Sequence, residues 1–101
     1  MQFNIRAMEE LRNGSFEKAY SLLKQADSLD KYSVVTLNNI GCYYKRMNKP
    51  AVALHYYKKA VALFKASPSD PANLAGVYLN ICTVLSLLTD CLLYTSDAAD
   101  E

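Results

Sequence analysis

The sequence predicts an all-α fold of helical hairpins, and three observations carry that prediction. Over Val34 to Lys65, apolar and small residues recur at steps of three and four, broken once at Asn48-Lys49-Pro50. Shifting the chain by 34 residues lays Ala53, Tyr57 and Ala60 over Ala19, Leu23 and Ala26, and Asn48 over Gly14. The β-branched residues are too scattered for a sheet, and three glycines and three prolines leave little room for a low-complexity linker.

In chain order, Phe3 to Arg12 reads as the opening helix, with Ala7 as its small residue and Arg6 and Glu10 standing where large apolar residues would be usual. Asn13-Gly14-Ser15 is a turn. Ser15 is placed to cap the helix that follows, with Lys18 where a complete capping box would have Glu. That second helix carries Ala19, Leu23 and Ala26 and ends at the link Ser28-Leu29-Asp30-Lys31, after which Asp30 or Ser33 caps the third. Pro50 has no backbone N–H and a preset φ, so it suits the first turn of the fourth helix. A run of turn formers, Ala66 to Pro71, opens a fifth helix with Asp70 as cap and Pro71 in the first helical position.

The hairpin pattern is more specific than amphipathicity. Leu37, Ile40, Gly41 and Tyr44 on one helix, then Ala53, Tyr57 and Ala60 on the next, resemble the signature positions of a tetratricopeptide repeat. Such a pattern has a packing reason: tiny side chains let helix axes approach closely, and aromatic and aliphatic ones fill the gaps between them. Tyr78, Ile81, Cys82 and Leu85 match Leu37, Ile40, Gly41 and Tyr44 at an offset of 41. That longer spacing, with Leu37-Asn38-Asn39-Ile40, is similar to the peptide-binding repeats of kinesin light chain. The resemblance implies an α-solenoid of about two and a half repeats: residues 1–31, 34–66 and the first helix of a third over 71–88.

Residues 91–101, CLLYTSDAADE, do not continue the pattern and resemble the reading-frame translation of a transposase-type sequencing adaptor. They are expected to be a non-native tail on a fragment of a longer array. The whole chain has a net charge of +1; without this tail, 11 basic residues stand against 7 acidic ones. Neither balance marks a polyanion binder.

Chemistry is sparse. Cys42, Cys82 and Cys91 form no CxxC pair and His55 is the single histidine, so neither a metal site nor a disulfide framework is expected, and no cofactor is implied. Glu9 and Glu10 point to different helix faces, and no glycine-rich phosphate loop occurs. An enzyme is not expected. Leu74 to Leu88 is apolar but carries Asn80, Thr83 and Ser86 and falls short of the roughly 20 residues of a span, so it reads as a buried helix of a cytoplasmic protein with no membrane partner.

The resemblance implies a function as well. In the family, first helices line a concave groove, and an asparagine just before the Ile-Gly pair holds the backbone of an extended peptide. Here those positions are Asn39 and Asn80, with Asn38, Cys42, Lys45, Arg46 and Thr83 as neighbours on the groove. An amide offers two donors and an acceptor to a peptide unit. The alternative is an asparagine that solvates a helix or bonds between helices. A chaperone-type carboxylate clamp is not expected: Asn39 alone fits, and the other places hold Asn4, Met8, Gly76 and Asn80. Two other readings are a structural stacking unit in a large assembly, and an RNA-binding repeat using Lys45, Arg46, Lys49, Lys58, Lys59 and Lys65 between tyrosines; nucleic acid is the weaker of the two.

Overall fold

The computed structural model describes the backbone of residues 2–100 and the side chains of residues 3–89. Five helices follow one another: α1 (Gln2–Arg12), α2 (Phe16–Leu29), α3 (Val34–Arg46), α4 (Pro50–Ala66) and α5 (Pro71–Asp100). The protein is all-α over the described residues. Each helix packs on the next, and α3 also touches α1 and α5. The side chains of the adaptor-like segment lie outside the described residues.

The turns α1–α2 and α3–α4 are the same structure, bond for bond, 34 residues apart. Gly14 N–H donates to Leu11 O and Asn48 N–H to Lys45 O; Ser15 N–H donates to Glu10 O and Lys49 N–H to Tyr44 O. Gly14 and Asn48 sit in the left-handed region at φ 85° and 62°. This is a Schellman ending, which places its left-handed residue just past the helix; glycine has no Cβ to clash there, and asparagine tolerates the region better than most residues.

Caps separate the remaining elements. Ser33, extended at φ −96°, ψ 117°, accepts from Thr36 N–H and caps α3. Asp30 instead accepts from Tyr32 N–H inside the link. Ser15 makes no side-chain cap, because at φ −85°, ψ 71° it is still completing the preceding turn and does not adopt the extended backbone from which a cap hydroxyl reaches forward. Asp70 accepts from Ala72 N–H ahead of Pro71 at the start of α5.

The core of the first four helices is built around small residues. Ala7, Ala19, Leu23 and Ala26 are buried around α1 and α2, and Leu37, Ile40, Gly41, Ala53, Tyr57 and Ala60 around α3 and α4; Tyr44 is half-buried. On α5 the pattern shifts. Val77 and Val84 are the fully buried residues and Ile81 is half-buried, whereas Tyr78, Cys82 and Leu85 are exposed. Gly41 and Tyr44 lie against α4, the next helix along. Among the described residues no sixth helix stands in that place for Cys82 and Leu85, so α5 buries only the stripe it turns to α4 and α3.

This corrects the expectation of a buried fifth helix. Pro71–Thr89 has mean hydropathy 1.5 and is long and apolar enough to cross a membrane by length and composition, yet only 11% of that stretch is buried; Leu79 is 70% exposed.

Candidate functional site

The face formed by α1, α3 and α5 is joined by side-chain amides. Asn4 of α1 and Asn39 of α3 are each more than nine-tenths buried. Asn4 Nδ2 donates to Thr36 Oγ1 at 3.0 Å, and Asn39 Nδ2 donates to Asn4 Oδ1 at 3.1 Å. One step along, Asn80 Nδ2 of α5 donates to Asn38 Oδ1 at 2.9 Å and lies 3.6 Å from Cys42 Sγ. A buried amide without partners costs about 1–3 kcal/mol, so these links fix how neighbouring helices sit along one another. No buried side-chain polar atom among the described residues lacks a partner.

Over this face runs a shallow trough in two adjoining parts that share Met8 and Arg12. The larger, about 460 Å³, lies between α1 and α3 and is lined by Ile5, Val35 and Asn39, with Asn73 of α5 at its edge. The smaller, about 200 Å³, continues toward the C-terminal ends of α1 and α3 and is lined by Leu11, Cys42, Lys45 and Arg46. The larger part combines apolar side chains and amides with Glu9 and Arg12, and the smaller part is cationic.

Of the residues singled out in the sequence, Asn39, Cys42, Lys45 and Arg46 line the trough. Asn38 and Asn80 face each other across α3 and α5. Thr83 is exposed and donates its hydroxyl to Leu79 O within its own helix, at 3.0 Å. Arg46 leans toward the Phe16 ring, 5.9 Å from its centroid. On the α1 wall, Asn4 and Met8 entered the sequence analysis only as positions of a carboxylate clamp, and Ile5, Glu9 and Arg12 escaped it as groove residues. The available signal was the 34-residue shift itself, which sets α1 beside α3 as an equivalent helix.

Behind the trough, Tyr57 holds α3 against α4. Its hydroxyl donates to Cys42 Sγ at 3.4 Å. Burial, then the contact with Cys42, pushes the Tyr57 phenol well above its ordinary range, so it remains a neutral donor. Tyr44 is shifted in the same direction, first by burial and then by Tyr20 and Tyr56. Among the described residues no group of three or more His, Cys, Asp or Glu is placed to hold a metal ion.

No protein-family model, curated protein or solved structure matches the chain.

Proposed function

We propose that this chain is a stretch of tandem tetratricopeptide-type repeats, an α-solenoid of antiparallel helix pairs, acting as a cytoplasmic protein–protein interaction module without catalytic activity. The trough on α1, α3 and α5 holds an extended segment of a partner protein. The observation that carries this reading is the trough with a half-used amide, Asn39, beside apolar side chains, Glu9 and the three cations Arg12, Lys45 and Arg46. Asn39 spends one N–H on Asn4; an amide has a second N–H and further acceptor capacity, which is what a peptide backbone requires. The two identical turns support the repeat architecture beneath it.

Selection of phage-displayed random peptides against the chain tests the reading. Enriched peptides should lose about tenfold or more in affinity when Lys45 and Arg46 are both changed to Glu, with helix content unchanged. Peptides that bind this double variant as well as the parent, or no enrichment at all, would overturn it. A second reading, a stacking unit of a larger assembly, is favoured by the exposed apolar side of α5, with Leu79, Leu85 and Leu87 each more than two-fifths exposed. The nucleic-acid reading draws no support: Tyr44 and Tyr56 stack on each other at 5.4 Å, which occupies ring faces that bases would need.

A further inference from the structure

We propose that the cleft between α2 and α4 is a second docking site, which takes one aliphatic side chain of a partner segment with an acidic residue directly beside it. The cleft shares no lining residue with the trough, so the inference does not depend on peptide binding there.

The shape sets the anchor. Leu23, Leu37 and Ile40 form the floor, and Tyr20, Tyr44 and Tyr56 line the cleft above it. The tyrosines are locked to one another: Tyr44 and Tyr56 are nearly parallel, 8° apart at 5.4 Å, while Tyr43 bridges to Tyr20 at 5.2 Å and to Tyr44 at 5.1 Å. A wall built this way has little rotamer freedom left to lose on binding. The cavity measures about 110 Å³. An apolar cavity of roughly 150 Å³ admits benzene. This cleft is smaller and open to solvent, and its size suits the end of a leucine or isoleucine side chain.

The rim sets the charge. Lys24 Nζ lies 5.5 Å from the Tyr20 ring centroid and Lys59 Nζ lies 5.4 Å from that of Tyr56, one ammonium on each side of the mouth. Both lysines are exposed, and each ammonium lies within cation–π range of its ring. Asp27 is the one acid lining the cleft, so the mouth keeps a net positive charge. Asp27 offsets one of the two cations; an acidic residue beside the aliphatic anchor supplies the second counter-charge. Asp27 stands one turn beyond Lys24 on the same helix and disfavours a carboxylate at that end, which leaves Lys59 and the near side of Lys24 as its seat.

The test is an amide-resolved NMR titration of the full chain with three blocked peptides, SELES, SQLQS and SEAES. SELES should give saturable shifts at Tyr20, Lys24, Tyr56 and Lys59. SQLQS and SEAES should each bind several-fold more weakly, and the double variant Lys24→Glu, Lys59→Glu should lose about tenfold in affinity for SELES with its circular dichroism unchanged. Absence of saturable shifts at millimolar SELES, equal binding of SQLQS, or shifts confined to Asn39 and Lys45 would each overturn the proposal. The last of these would leave peptide binding in the trough standing, so the two sites fail separately.

Discussion

Gly41 lies directly beneath the ring of Tyr57. A Cβ placed on Gly41 would stand 2.6 Å from Tyr57 Cδ1 and 2.9 Å from Cζ, and nearer still to Cε1. The ring is fully buried, and its hydroxyl donates to Cys42, the residue after Gly41, so displacing it disturbs packed neighbours. The closest approach of α3 and α4 therefore depends on a missing side chain.

Replacing Gly41 tests this balance. Alanine gains up to about 1 kcal/mol of helix propensity, but overpacking a filled core costs about 1–3 kcal/mol. Gly41→Ala should lower the urea midpoint in spite of its better propensity, and Gly41→Leu should lower it by more. A stabilised Gly41→Ala would show that Tyr57 can move aside.

Alkaline stability should report Tyr57. Its folded-state pKa lies above the ordinary value of 10.0, so the protonated form is favoured by folding. That contribution is fully present below about pH 10 and is lost as the pH rises past it, where the unfolded chain ionises first. Tyr44 acts in the same direction. Urea unfolding followed from neutral pH to above pH 10 should show falling stability, and Tyr57→Phe should flatten part of the fall. The variant's own loss at neutral pH should be about 1 kcal/mol or less, since the bond to sulfur is weak. An unchanged slope in the variant would place the titration elsewhere.

On α5 two neighbouring residues should behave oppositely. Val84→Ala removes buried methyl groups and should cost about 1–3 kcal/mol. Leu85→Ala, at a position 46% exposed, should cost under about 1 kcal/mol. The repeat pattern alone predicts the reverse order, so thermal unfolding of the two variants decides which face α5 buries here.

The groove asparagines show where sequence patterning reaches its end. Position alone puts Asn39 beside Gly41 on the helix that faces the trough. It does not say that Asn4, 35 residues upstream, will take one of its donors, because hydrogen bonds between helices depend on how those helices slide along each other. Lys45 and Arg46 were legible as cations at a helix end. That Arg12 joins them to make one cationic end is a consequence of α1 lying beside α3.

What the chain determines by itself is local: helices from the three- and four-residue spacing, the turns from Gly14 and Asn48 in left-handed backbone, and the tight crossing from Gly41, Ala53 and Ala60. These depend on residues within one hairpin, and a period of 34 is enough to state them. Which side of α5 is buried, which asparagines are already bonded, and which tyrosines interlock were decided only by the tertiary arrangement. Burial and hydrogen bonding are properties of a residue's neighbours, and among the described residues those of α5 are α3 and α4.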